Sequence, residues 1–460
     1  MPGTISGLLS VARSGLLASQ RSVEVASNNI ANANTPGYSR QRADLVTGQP
    51  VQLATIQLGT GVRVLDVDRV RDGLLDIAYR DATSVGSGHG QRLFVLEGIE
   101  AALAEPGTNG LGASLDRFWS SWNDLANDPT STAARLAVRV AGQDVSSTFQ
   151  RLSGSIDEAR GSATLRLNGM VDELNQLTAQ IGDLNTRILA AESSGGTAAV
   201  LRDSLDNAID RIATISGVQV VQRSDGTAAV HLNGSALVDG GVARALSVTS
   251  GPPLGLALPG GTPVTPPASG ALGSLLHAVN VELPGLQADL DAMAASVVSA
   301  VNTVHQTGTN PNGNTGVDFF DPAGVTARTI GLSAAVLGDV QEIAAGTPDG
   351  TGLYQAGQND VALALAAVRD QAQAGLGGIS VTEAYGNYVS DIGARVASTR
   401  TGQAAQESLQ LQADIRRSEV SGVSLDEEMV DLVRFQAAYQ ASARMVTVAD
   451  EMIGTLLQMV

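Results

Sequence analysis

The stretch SNNIANANTPGYSRQR, Ser27 to Arg42, is where one kind of order stops and another begins. Up to Ile30 the chain is periodic. Ile5, Leu9, Ala12, Leu16, Ser19, Val23, Ala26 and Ile30 fall at alternating steps of four and three, and only Ser19 is not apolar. That is one seam of a helix about 39 Å long at 1.5 Å per residue. Then Asn28, Asn29, Asn32 and Asn34 offer side chains that compete with the helical backbone for hydrogen bonds. Pro36-Gly37 follows and fits the two central positions of a type II turn between Thr35 and Tyr38. Beyond it Tyr38, Arg40, Gln41 and Arg42 begin a connection to the next domain outward.

The other end of the chain repeats the device. Leu425, Met429, Leu432, Gln436, Tyr439, Ala443, Val446, Asp450, Ile453, Leu457 and Val460 keep the same alternation, interrupted only by Gln436 and Asp450. SLDE, Ser424 to Glu427, has the spacing of a capping box, and Asp426, Glu427 and Glu428 put negative charge at the positive end of this last helix. Two interior seams are as regular: Leu167, Met170, Leu174, Leu177, Ile181, Leu184, Ile188, and Leu283, Leu286, Leu290, Met293, Val297, Ala300, Val304. Their 3-4 spacing predicts two helices suited to pack antiparallel, the second opened by Pro284 where a missing N–H costs least.

Between those seams the period changes. Val218 to Gly234 alternates apolar and polar positions around Asp225-Gly226, a hairpin signal. Residues 251–270 are rich in Pro and Gly and read as a loop. A second loop spans 307–322, and helix returns at 359–371 and 381–418. The reading is a mainly α, multi-domain protein. Residues 1–40 with 420–460 form a terminal coiled coil, and 41–215 with 350–419 a mainly helical domain. Residues 216–349 form a central distal domain: β-rich at 216–250, loop at 251–270, and a helix at 272–306 that either stays there or packs on the helical domain. Both ends would lie together, with the middle of the sequence at the tip of a rod.

Composition narrows the function. The net charge is -18, and all 28 basic residues are Arg, since the chain has no Lys. Phosphate binding needs a basic patch this chain does not offer, so nucleic acid is not an expected partner, and anionic membrane surfaces are disfavoured likewise. Cysteine is absent, which removes disulfides, thiolate metal sites and thiol nucleophiles. The first thirty residues lack the unbroken apolar core of an ordinary secretory signal, and no run approaches the roughly 18 apolar residues of a membrane helix. With aromatics at 3%, helices packed through small side chains are favoured over an aromatic core.

Enzyme chemistry finds no foothold in the motifs. His89, His231, His277 and His305 are scattered without metal-ligand spacing, and read as structural or surface residues. Asn310, Asn312, Asn314 and Asp318 resemble a calcium loop only faintly, because the central Gly and terminal Glu are misplaced; a plain turn is expected. Asp426, Glu427, Glu428 and Asp431 read as helix N-terminal charges on a solvated face. No catalytic residue, metal or cofactor is expected. The terminal seams are different. Two helices paired alone would leave Leu8, Leu17, Val25, Val433, Phe435 and Leu456 in water, and apolar flanks at both ends of a chain suit packing against further copies.

These residues also carry a resemblance. SNNIANANTPGYSRQR resembles the N-terminal motif of bacterial flagellar axial proteins of the rod, hook and hook-associated class, and residues 421–460 look like their C-terminal helix. Three interior stretches, MVDELNQLTAQIGDLNTRI, LRDSLDNAIDRIATISGVQVVQRSDGTAAVHLNG and LPGLQADLDAMAASVVSAVNTVHQTG, are similar to the hook-associated protein 1 family. The resemblance implies a ring of subunits at the extracellular hook–filament junction, self-assembled, touching the hook protein and a second junction protein. It implies export through the flagellar type III apparatus without a cleaved signal, no enzymatic activity, and an export chaperone on the C-terminal helix. Onto this chain it maps subunit packing at Ile5, Leu9, Leu16, Val23 and Ile30. It maps the turn and connection to Asn29, Asn34, Thr35, Pro36, Gly37, Tyr38 and Gln41. Packing and chaperone binding fall at Leu425, Met429, Leu432, Tyr439, Val446, Ile453 and Leu457. The rival readings are another rod or hook component, or a secreted helical effector or adhesin.

Overall fold

The computed structural model describes residues 2–53, 56–193 and 196–458. The chain opens with α1 (Pro2–Asn32) and then, where the sequence suggested a connection into helix, forms two antiparallel hairpins. The strands β1 (Gln41–Thr47) and β4 (Val62–Arg69) pair with a bulge between Asp44 and Leu45, and β2 (Val51–Leu53) pairs with β3 (Ile56–Leu58) beyond them. Strands of three residues leave too short an alternation to be read as β from sequence.

Long helices follow: α2 (Gly73–Leu103), α3 (Leu111–Asn127), α4 (Thr132–Ser193) and α5 (Ala199–Ile215). The 62 residues of α4 span about 93 Å and set the length of the body. A four-stranded antiparallel sheet comes next, β5 (Gln219–Gln222), β6 (Ala228–Leu232), β7 (Ser235–Asp239) and β8 (Val242–Ala243), in sequence order. Its first turn is the expected Asp225-Gly226, with Gly226 at φ +80° and Asp225 Oδ1 accepting from Thr227 N. The Pro/Gly-rich segment is no plain loop. It holds β10 (Leu256–Leu258) and β11 (Thr262–Val264), which pair with β9 (Ser247–Val248) in a three-stranded sheet whose middle strand is buried.

Next come α6 (Gly270–His277), one π turn at Ala278–Glu282, and α7 (Leu283–His305), a nearly continuous helical run. Two short helices, α8 (Ala334–Gly338) and α9 (Asp360–Ala367), precede α10 (Val381–Ser421) and α11 (Leu425–Gln458). The pairs Arg400–Glu97 and Arg417–Asp76 show α10 running antiparallel to α2. The two regular interior seams do not chiefly face each other. The face of α4 from Leu167 to Ile188 is taken by α5 and the strands, through Glu173–Arg211 and the Asn185 amide on Ala228 and Gly240. Meanwhile α7 meets α4 earlier, where Ser153 donates to Gln287.

One continuous core runs from Val95 to Ile392 and includes the strands and the segment after α7, so buried side chains mark no boundary at 216 or 349. One part of it is aromatic, although the composition favours packing through small side chains. Phe118, Trp119 and Trp122 of α3 are buried against Phe319 and Phe320, with ring centroids 5.3 to 5.8 Å apart between Phe118 or Trp122 and the two later rings. Asn302 seats that pair: its Oδ1 accepts from both Phe N–H groups, and its Nδ2 donates to Phe320 O. Gly142 makes room, because a Cβ there would lie 2.9 Å from the Phe319 ring. Few aromatics, collected in one place, make a core as readily as many scattered ones.

Candidate functional site

The terminal helices pair antiparallel: Gly15 lies against Ser442 near their middle, and Asn29 meets Glu428 at the inner end. The buried face of α1 is made of small or polar residues, Ala12, Ala18, Ser19, Ser22, Val25, Ala26 and Asn29. Leu9, Leu16, Val23 and Ile30 are half-buried at its margins, and of the expected flanks Leu8 and Leu17 are exposed. On α11 the buried residues Glu428, Ser442 and Ala449, with half-buried Leu432, Phe435, Val446 and Ile453, define the inward register within one copy. Gln436 and Asp450, which seemed to interrupt the seam, lie exposed one position beyond Phe435 and Ala449. Leu425, Met429, Val430, Val433, Tyr439 and Leu457 are exposed, up to 74% at Leu457. Val460 and the side chains of Ile5 and Leu456 lie outside the described residues.

The opening stretch builds the elbow between this pair and the body. Thr35 O accepts from Tyr38 N at 3.2 Å and Gly37 has φ +76°, the left-handed value a type II turn needs at its third residue. A side chain at Gly37 would also collide with Asn207 of α5, whose Oδ1 would sit 2.0 Å from the added Cβ. Thr35 hydroxyl donates to Asn32 Oδ1, while Asn34, Thr35 and Pro36 stay exposed. Asn29 is the centre of the motif. Its Nδ2 donates to Gln41 O (2.8 Å) and Glu428 Oε2 (3.0 Å), and its Oδ1 accepts from Gln41 N (2.9 Å) and Tyr38 hydroxyl (2.8 Å). One buried amide thus ties the end of α1, the start of β1 and the start of α11, with its full donor and acceptor capacity used.

Glu428 is where sequence reasoning failed. Its side chain is 3% exposed rather than solvated, held between Asn29 and Arg40 Nε at 2.7 Å. Arg40 also reaches Glu427 at 3.0 Å, and its backbone N–H donates to Ser421 O. The capping box is therefore half used: Ser424 Oγ accepts from Glu427 N, but the Glu427 carboxylate goes to Arg40. Burial first, and then the nearby carboxylates of Asp203 and Glu428, push the Tyr38 phenol up to about 12, so it remains a donor.

Behind the turn lies a network that no motif announced. Asp203, Asp206 and Asp210 share one face of α5 and meet Arg69 at the end of β4, Arg71 beside it, Arg80 of α2 and Arg417 of α10. Asp206 is the hub, touching Arg69 (2.8 Å), Arg71 (2.9 Å) and Arg80 (3.3 Å). Arg71 also forks onto Asp76. Burial alone would lower the Arg71 pKa; the Asp76 hydrogen bond and the charges of Asp206, Asp76 and Asp210 overcome it and raise it. The sequence signal was the three-four spacing of the Asp residues, which is as common on solvated helices. Elsewhere His305 is a core residue, donating from Nδ1 to Val317 O and accepting from Ala344 N at Nε2. Asn310, Asn312 and Asn314 donate to Glu342. Among the described residues no group of three or more His, Asp or Glu is arranged for a metal.

A helix pair of small residues, a hairpin folded onto it and an elongated helical body is a combination that known proteins share. Residues 96–320 match the family described as the flagellar hook-associated protein FlgK helical domain. Residues 416–459 match the flagellar basal body rod FlgEFG protein C-terminal family, and 9–38 the flagella basal body rod protein family. Flagellar hook-associated protein 1 of Bacillus subtilis strain 168 is 30% identical, over 99% of this chain and 98% of its own length. Its counterpart in Escherichia coli K12 is 26% identical over 98% and 100%. The fold is that of the flagellar hook junction protein FlgK from Burkholderia pseudomallei, with a TM-score of 0.67 over 75% of this chain and all of that one, at 17% identity. The chain belongs to the flagellar hook-associated protein 1 family.

Proposed function

We propose that this chain is a structural joint of the bacterial flagellum, seated outside the cell between hook and filament and built from several copies. The observation that carries the reading is the unfinished terminal pair. The residues that α1 and α11 bury against each other are mostly small, while Leu425, Met429, Val430, Val433, Met445, Val448, Met452 and Leu457 of α11 stay exposed. Exposed apolar side chains along that length of helix suit further helices of the same kind, supplied by neighbouring copies. No helix among the described residues is long and apolar enough to cross a membrane.

The finer proposals follow from the family. Copies form a ring, the hook protein lies below it and a second junction protein above. The chain leaves the cell through the flagellar type III apparatus, and before assembly an export chaperone covers the exposed face of α11 in the manner of a helix in a groove. Its work is mechanical rather than enzymatic. Electron microscopy of a strain lacking the gene, with flagellin assayed in the medium, tests the role. Bare hooks with flagellin lost to the medium are expected. Missing hooks would move the protein down to the rod or hook, and intact filaments would overturn the proposal.

A further inference from the structure

Sheet edges are usually blunted or covered, because unpaired N–H and C=O groups recruit other strands. Strands β8 and β9 are two residues long and β11 carries Pro263. β5 has no such protection: it reads QVVQ and is the outer strand of its sheet. Arg223 N donates to Thr227 O, so the alternation of antiparallel bonds turns the backbone groups of Val220 and Gln222 away from β6. They line a groove of about 700 Å³ between β5 and the first turns of α2, where Leu74 and Ile77 are exposed at 76% and 52%. Asp72 and Asp81 line it too, which disfavours an acidic occupant and accepts an uncharged one.

A second bare surface lies on α10. Ala404, Ser408, Leu411, Ile415 and Ser418 form one exposed stripe without a charge, and Leu411 and Ile415 are exposed at 62% and 52%. Ala413 is buried and Arg417 reaches Asp210 and the Tyr79 ring, so these two mark the side of α10 turned to the body. Leu411 and Ile415 stand two residues before them, about 200° round the helix, and point away. α2 is divided in the same manner. Leu75, Tyr79 and Ala82 lie on its α10 side, whereas Gly73, Ile77 and Arg80, each two residues earlier, line the groove. Stripe and groove therefore occupy opposite flanks of the body. They are also nearly level: Arg417 lies over Tyr79 and Gly86 packs on Gln406, which puts Ile415 and Leu411 within about 9 Å of Ile77 along the axis at 1.5 Å per residue.

We infer that the Leu411–Ile415 stripe of one copy docks in the groove between α2 and β5 of the next copy, its two aliphatic side chains against Leu74 and Ile77 and its helix over the β5 edge. This chain itself supplies the uncharged helix face that the groove accepts, so the occupant is a second copy. Two different surfaces on opposite flanks at one level make a head-to-tail contact, the kind that generates a ring and needs no shift along the axis. The inference rests on the multi-copy assembly proposed above, and names a contact of that ring outside the terminal helices.

The cysteine-free chain makes the test direct. A double variant, Ile77→Cys with Ile415→Cys, is expressed in the deletion strain, and Leu74→Cys with Leu411→Cys is a second pair about one turn away. Restored filaments under reducing conditions report the junction role independently of the contact. Oxidation of isolated hook–filament complexes should then give a ladder of dimer, trimer and higher species on a non-reducing gel, absent for each single-thiol variant. Restored filaments with no ladder from either pair, or a dimer from Ile415→Cys alone, which a two-fold contact would give, would overturn the inference. A second measurement needs no thiol. Ile415→Glu brings a carboxylate to a groove already lined by Asp72 and Asp81, and should lower filament number at least tenfold with an unchanged melting curve. Leu165→Glu, at the more exposed Leu165 of α4, should leave it unchanged; equal behaviour of the two would also overturn the inference.

Discussion

The body and the terminal pair bury opposite kinds of surface. The body closes over Phe118, Trp119, Trp122, Phe319 and Phe320 in a core that is finished within one copy. The terminal pair buries alanines, serines, one valine, an asparagine and a glutamate, and leaves its leucines, isoleucines and methionines at the margin or outside. Burial of apolar area is the main driving force of folding, so the first region holds itself together, whereas the second keeps apolar surface that the assembly proposed above would cover. One chain is thus divided between a closed core and a helix pair with exposed aliphatic side chains, and the division is made by side-chain size rather than by secondary structure.

That contrast is open to direct attack. Leu432→Asp or Leu16→Asp places a charge at the margin of the terminal pair, worth several kcal/mol when desolvated without a partner. Attached filaments should disappear while the melting of the body is unchanged, and normal incorporation into flagella would erase the distinction. Phe319→Ala should do the reverse at about 3–5 kcal/mol, lowering the main unfolding transition in a denaturant titration. Asp206→Ala leaves Arg69, Arg71 and Arg80 around an empty hub and should cost about 3 kcal/mol. Its signature is a wider spread of angles between terminal pair and body in electron micrographs of single molecules; an unchanged spread would make the network merely structural padding.

A pH titration should touch only the body. Burial, partly offset by the Val317 carbonyl and by Asp318 and Glu342, lowers His305 from 6.5 to about 4. Between those values the unfolded chain holds a proton that the folded one refuses. Stability is therefore complete above pH 6.5 and falls as the pH drops towards 4, by about 3 kcal/mol. In His305→Gln the slope between pH 6.5 and about 5 should vanish, leaving only the fall below it that the hydrogen-bonded carboxylates such as Glu342 give. The smallest effect lies in the helix pair, where a Cβ on Gly15 would sit 2.8 Å from Ser442 Oγ. Gly15→Ala with Ser442→Ala removes that clash and keeps the gain in helix propensity, about 1 kcal/mol, which hydrogen exchange of α1 amides would register.

How much of this was legible depends on how far each signal reaches along the chain. The Asn run, the Pro36-Gly37 turn, the Ser424 cap and the Asp225-Gly226 hairpin are local, and their residues stand where their chemistry places them. The helix of α11 was legible and its inward register only in part, since Leu432, Val446 and Ile453 of the expected seam are half-buried. Two adjacent apolar stripes run along it, and only packing against α1 chooses Phe435 and Ala449 over Gln436 and Asp450. Strands β2, β3 and β9 to β11 were missed because each is only two or three residues long, and β1 and β4, seven and eight residues long, because they pair across the 14 residues between them. The elbow was missed for the same reason: Glu428 looks solvated until Asn29 and Arg40 arrive from the far end of the sequence.

That distance has a kinetic side. Asn29 and Glu428 are 399 residues apart, and everything between them folds as one body hung from two points, near Arg40 and Ser421. Contacts so far apart in sequence form late, because the intervening chain must close first. In a chain that appears from its N-terminus onward, α1 is made long before its partner α11. Until α11 arrives it has only its own hairpin to rest on, and the helix pair exists only once both of its helices do.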